Sequence, residues 1–274
     1  MKVGAIEVLP VHDLSLRIDP GLLFPRTAEQ WGSHRRYLAD DGRLTLDFGG
    51  FLIRSADRCV LVDLGLGPGS PAGRAHLLDS LAGIGVGKPE VTDVVLTHLH
   101  ADHIGWASDG NFATFPNATY HCDERDWEFF ISPNAAFEGH GPDDPSPQRI
   151  KAKMAAVENR VELWSSDTTV APGISVRRTP GHTPGSSIVI VSDGDDRAVL
   201  LGDVCHCPAE LLENDWAALA DVDTEMAQRT REALARELEG SGVAIAAAHF
   251  PGLQFGRLLT GAGKRSWVFD GVQN

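Results

Sequence analysis

The chain has 274 residues, with 24 Lys+Arg against 38 Asp+Glu and a formal net charge of −14. Its 42% hydrophobic and 23% charged residues are ordinary for a globular protein, which excludes disorder, collagen and a coiled coil as the main plan. The acidic balance, with no Lys/Arg run, argues against nucleic acid and anionic lipid as partners, and no apolar stretch approaches the ~20 residues of a bilayer span.

Residues 1–10 lack the basic flank and apolar stretch of a signal peptide, and four cysteines in a chain of this length do not form a disulfide framework, so a reduced, cytoplasmic protein is expected. No linker composition divides the chain, which is read as one domain over 1–274. Residues 19–41 read as a loop over a site. Residues 46–62 alternate about a polar turn at Asp57-Arg58, as a hairpin does, and end on Asp63. The apolar run 94–97 leads into His98. A second loop follows at 132–147, rich in Pro, Gly and Asp, and then a helix over 147–159 with Ile150, Met154 and Val157 on one face. A strand at 174–178 precedes the Pro/Gly turn around His182, and the run 198–202 leads into Asp203. The strongest helix spans 224–239, with Asp223 placed to cap its start and Gly240 its end. The last apolar run, 243–248, leads into His249. Several strands thus end on side chains that can bind metal, the position where α/β enzymes place chemistry.

The central motif is Thr97-His98-Leu99-His100-Ala101-Asp102-His103, four potential ligands within six residues. In an extended or tightly turning loop His98 and His100 point the same way, and Asp102 and His103 can project from a following first turn. With His182, Asp203 and His249, five His and two Asp can supply two divalent cations sharing one carboxylate. Imidazole with carboxylate and no thiolate favours Zn2+, with Mn, Co and Fe left open.

This set, in this order, resembles the metallo-β-lactamase superfamily over roughly 46–267. The resemblance implies an α+β fold, a four-layer αβ/βα sandwich with the metals at one edge. It implies that His98, His100 and His182 hold one metal, that Asp102, His103 and His249 hold the other, that Asp203 bridges them, and that Asp63 supports the motif loop from behind. Residues 115–118, 202–206 and 249–252 look most like the branch of N-acyl homoserine lactone lactonases and methyl parathion hydrolase. Asp203 differs from the Cys or Ser that true zinc β-lactamases place at the bridging position, and His100 from the Glu of flavodiiron proteins. Many lactonases carry Tyr three residues after the bridging Asp; here His206 stands there, as a proton donor to the leaving oxygen or as a cavity wall.

The function expected is hydrolysis of an ester-like bond in a small molecule, a lactone first, by a hydroxide held between the two metals, with Asp102 orienting it and accepting its proton. A phosphotriesterase or aryl esterase on the same site is the alternative, and a metal-stabilised binding protein without turnover is the alternative of another class. Trp31, Trp106, Phe130, Phe137 and Trp216 are candidates to line a pocket, with core packing the competing role. Cys205 and Cys207 read as buried, inert thiols rather than a third metal site, and His12, His34, His76, His121 and His140 carry no assigned role. Oligomeric state stays open, a homodimer among the options.

Overall fold

A computed structural model of the chain describes residues 1–69, 73–139 and 144–271. The first half forms β1 (Lys2–Val3), β2 (Ile6–Ile18), β3 (Leu44–Ser55), β4 (Arg58–Val62), helix α1 (Leu77–Gly83), β5 (Asp93–Val95), a short hairpin of β6 (Ser108–Asp109) and β7 (Phe112–Ala113), β8 (Thr119–Asp123), helices α2 (Glu124–Phe130) and α3 (Ser146–Ala155), and β9 (Val161–Trp164). The second half forms β10 (Thr168–Ala171), β11 (Ile174–Arg178), β12 (Ser187–Asp193), β13 (Asp196–Leu200), helices α4 (Ala209–Leu212) and α5 (Thr224–Leu238), β14 (Ala244–Ala246), β15 (Gly256–Gly261) and β16 (Lys264–Phe269). Each half builds a seven-stranded sheet, in the orders β1-β2-β3-β4-β5-β8-β9 and β10-β11-β12-β13-β14-β15-β16.

Period-2 alternation decides which side chains meet where. On β3, β4, β12 and β13, Ile53, Val60, Val62, Val189, Val191, Ala198 and Leu200 face the opposite sheet and form the central core. Their neighbours point outward. Leu52, Leu61 and Val94 pack with Leu77, Leu81, Phe130, Ile150 and Met154 under α1–α3. Ile188, Val199 and Ile245 pack with Leu234, Ala235 and Leu238 of α5. The result is helix, sheet, sheet, helix: the expected four-layer αβ/βα sandwich. Strands buried on both faces read as continuous apolar runs, and each fully buried Val, Leu or Ile side chain contributes about 1.5–3 kcal/mol.

The hairpin at 46–62 is found as β3 and β4. The helix at 147–159 is shorter than its pattern, α3 ending at Ala155 before a 3-10 turn at Glu158–Arg160. Helix α5 starts where its cap dictates, Asp223 accepting a hydrogen bond from the Met226 N–H at 2.9 Å. Segment 19–41 has no regular α-helix or strand, and its Leu23 lines the cavity over the site residues. It folds into 3-10 turns at Pro20–Leu22 and Gln30–Tyr37, and Phe24, Trp31 and Tyr37 sink into the core outside the second sheet. Burial of these three large apolar side chains fixes the otherwise irregular backbone against the second sheet. The loop expected at 132–147 includes 140–143, which lie outside the described residues, as does His140. Among the described residues no helix is long and apolar enough to cross a membrane.

Candidate metal centre

The first sheet presents the His-rich segment. β4 and β5 run parallel, pairing Val62 with Val95, so the two strands end side by side. Asp63 follows β4 in a left-handed conformation (φ 60°). From there its carboxylate accepts the Thr97 N–H and hydroxyl, both at 2.8 Å, and lies 2.9 Å from His103 Nδ1. This fixes the start of the segment and one ring within it. The second sheet supplies the rest: His182 from the turn after β11, Asp203 after β13 and His249 after β14.

Two glycines explain the Gly-His and Gly-Asp pairs. Gly202 (φ +53°) packs so tightly on Thr97 that a Cβ would stand 2.8 Å from its side chain. At Gly181 (φ +135°) a Cβ would meet the Ala227 nitrogen at 2.2 Å. A side chain at either place would push a ligand-bearing turn off its seat.

Four rings turn Nδ1 outward to an acceptor. His98 Nδ1 lies 3.1 Å from Thr97 Oγ1, His103 Nδ1 2.9 Å from Asp63, His182 Nδ1 3.1 Å from Asp221, and His249 Nδ1 3.0 Å from the Asp47 carbonyl. An imidazole that donates through Nδ1 carries a bare lone pair on Nε2, and these lone pairs aim at one another. His100 Nδ1 stands 3.1 Å from His98 Nε2 and 2.9 Å from His182 Nε2. His249 Nε2 lies 3.4 Å from Asp102 Oδ2 and 3.2 Å from Asp203 Oδ2, and His103 Nε2 lies 3.2 Å from Asp203 Oδ1. Two ligands about 2.1 Å from one tetrahedral ion sit about 3.4 Å apart, the spacing found here. His103 Nε2 and Asp203 Oδ1 are both buried with no hydrogen-bond partner. The donor set therefore fits cations: His98, His100 and His182 around one position, and Asp102, His103, Asp203 and His249 around the next.

The buried charges of the cluster shift one another. Burial and the His103 charge hold the His98 imidazole well below its usual range. Burial alone would lower His103 too, but Asp203, Asp63 and Asp102 outweigh it and raise it well above. Burial would raise Asp203, yet the charges of His103, His249 and His206 keep its carboxyl well below the ordinary value.

His206 stands at the edge of the cluster, its Nε2 3.3 Å from Asp203 Oδ2 and its ring stacked on His249 at 5.5 Å. With His182 and Asp203 it makes a third close group of possible ligands. The cavity above, about 240 Å³, is walled by Leu23, Leu46, Phe48, Phe137 and Ile150 and floored by the site residues. Of the five candidate aromatics only Phe137 lines it. Phe130 supports His100 from behind, their ring centres 5.4 Å apart, Trp31 and Trp216 pack together in the core, and Trp106 is tied to Asp13. His34, His76 and His121 pair with Glu213, Asp79 and Asp93 instead. All four cysteines are free thiols, and burial pushes Cys205 and Cys207 well above the ordinary thiol range.

Three groups went unread in the sequence. Asp221, behind His182, is 3.3 Å from Arg231, which is 3.1 Å from Glu210; Glu210 accepts the His206 N–H at 2.6 Å and the Cys207 N–H at 3.1 Å. Arg231 also donates to the Val204 and Trp216 carbonyls. A signal existed: Arg231 interrupts the buried stripe Ala227, Leu234, Ala235, Leu238 of α5. Asp126 accepts from the Gly185 and Leu99 N–H groups at 2.6 and 3.1 Å and from the Thr183 hydroxyl at 2.9 Å, joining the two ligand turns. Asp13 accepts the Leu66, Gly67 and Leu77 N–H groups and so pins the loop after β4.

The metallo-beta-lactamase superfamily profile matches residues 50–239, and the chain belongs to that superfamily. The human metallo-beta-lactamase domain-containing protein 1 is 30% identical over 213 residues, 77% of this chain and 65% of the relative's own length, so the chain spans just under two thirds of it. An N-acyl homoserine lactonase from Bacillus sp. is 24% identical over 173 residues, 59% of this chain and 58% of that protein. Among solved structures, AidC, described as a dizinc quorum-quenching lactonase in complex with a product, superposes with a TM-score of 0.87 at 22% identity, covering 100% of this chain and 97% of that one. That likeness speaks for the fold.

Proposed function

We propose that the chain is a zinc-dependent hydrolase holding two cations and opening an ester-like bond in a small molecule, a lactone first. His98, His100 and His182 would hold one cation, Asp102, His103 and His249 the other, with Asp203 shared. The observation that carries this is the meeting of both donor groups at Asp203, whose Oδ1 faces His103 while Oδ2 lies 3.2–3.7 Å from His249, His206, His182 and His98. When bound, such cations bring the pKa of water to about 7 and polarise a carbonyl oxygen.

The protein's own groups do the rest. Asp102 is the most exposed of the two central carboxylates, at 25% against 4% for Asp203, and borders the cavity. It orients the attacking water and accepts its proton. His206, anchored by Glu210, faces the same cavity and donates a proton to the leaving alkoxide, so that ring C–O cleavage yields a hydroxy acid. The apolar walls exclude competing water. The names of the lactonase relatives support a lactone over other esters.

The test is substitution with elemental analysis. His100→Ala and Asp203→Ala are each expected to lose bound zinc and lactone hydrolysis together while far-UV circular dichroism is retained. Full turnover by metal-free protein overturns the proposal. Stoichiometric metal with no hydrolysis of lactones, aryl esters or phosphotriesters identifies a binding protein instead, and faster turnover of phosphotriesters than of lactones moves the substrate to that class.

A further inference from the structure

A second cavity, about 490 Å³, lies beside the metal centre, and Ala101 and Ile150 line both. Its volume is in the range of small-molecule sites. Leu66, Ile104 and Ile150 give it an apolar wall, and Arg149 and Lys153, one turn apart on α3, place two cations in its lining. No Asp or Glu lines it among the described residues, although acids outnumber bases 38 to 24 in the chain. Neither cation is in an ion pair with a described carboxylate; the Lys153 ammonium donates to the Ser108 carbonyl at 2.8 Å. Burial lowers the Lys153 pKa from its ordinary value, with Asp109 opposing, so the ammonium is partly stripped of water without a counter-charge in contact.

We infer that this cavity takes the tail of the substrate, an apolar chain ending in an anionic group that Lys153 and Arg149 bind. The inference rests on the hydrolase reading above. An apolar wall alone accepts any greasy tail, whereas a half-buried, unpaired ammonium favours one that ends in negative charge.

Two γ-lactones of equal tail length, one ending in methyl and one in carboxylate, test this on the whole zinc-loaded chain. The carboxylate-ended lactone is expected to show roughly tenfold lower KM, about the effect of one partly desolvated charge pair. In Lys153→Met that ratio collapses towards one, and in Arg149→Met it shrinks; a ratio within each variant is insensitive to loss of folded protein. Binding of 1-octanesulfonate against 1-octanol, measured by calorimetry, needs no turnover. Sulfonate bound more tightly than the alcohol, and dependent on Lys153, supports the cavity even if no lactone is opened, a result that would remove the hydrolase reading alone. Equal KM values for the two lactones, with sulfonate binding unchanged in Lys153→Met, overturn the inference while leaving hydrolysis intact.

Discussion

Asp126 shows how much one side chain can be asked to do. It receives three hydrogen bonds and ties the turn bearing His98 and His100 to the turn bearing His182, yet burial outweighs those bonds and pushes its pKa up to about 7. In the unfolded chain the carboxyl returns to about 3.8. Because the folded value is the higher one, the stabilisation from proton uptake is complete below the unfolded value and disappears as pH rises through about 7. Urea unfolding of the wild type is expected to lose about 1 kcal/mol more than Asp126→Asn between pH 6 and pH 8. An equal loss in both proteins would show that Asp126 stays ionised throughout. The candidate ligands are legible because four lie in one short segment and the other three each follow a strand, His182 and Asp203 directly after a glycine. Asp126 was not, since its partner Gly185 is 59 residues away and an acidic residue in an amphipathic stretch looks solvated.

Helix α5 carries the same lesson at the next scale. Its limits and its N-cap could be read directly, but Arg231 on its buried face could not be explained without Asp221 and Glu210, brought to it from a loop and a short helix. The guanidinium is 3% exposed. Arg231→Met would leave two buried carboxylates facing each other, and removing one partner of such a group costs about 3–5 kcal/mol. Since Asp221 orients His182, zinc affinity is expected to fall 10–100-fold as well, which a chelator competition titration would measure. A loss of stability with unchanged affinity would confine Arg231 to packing. Within segment 19–41 the burial of Phe24, Trp31 and Tyr37 depends on a surface offered by the second sheet and by Trp216, which local composition does not reveal.

At the scale of the whole molecule, the centre draws His98, His100, Asp102 and His103 from the first half of the chain and His182, Asp203 and His249 from the second. Under the proposed reading, ions held by both halves would bind the folded state and not the unfolded one. At a free zinc concentration 1,000 times the dissociation constant this adds about 4 kcal/mol. Chelation is therefore expected to lower the melting temperature in a scanning calorimeter, and re-addition of zinc to restore it. An identical melting temperature with and without chelator would mean that the imidazoles and carboxylates hold their places unaided.

The contact of Gly181 with the first turn of α5 leads further. The His182 turn is seated partly on a helix outside the sandwich, besides its bonds to Asp221 and Asp126, so under the proposed reading a shift of that helix would reach a metal-holding imidazole. Metal occupancy, if the proposed reading holds, would then report on how firmly that outermost layer is seated.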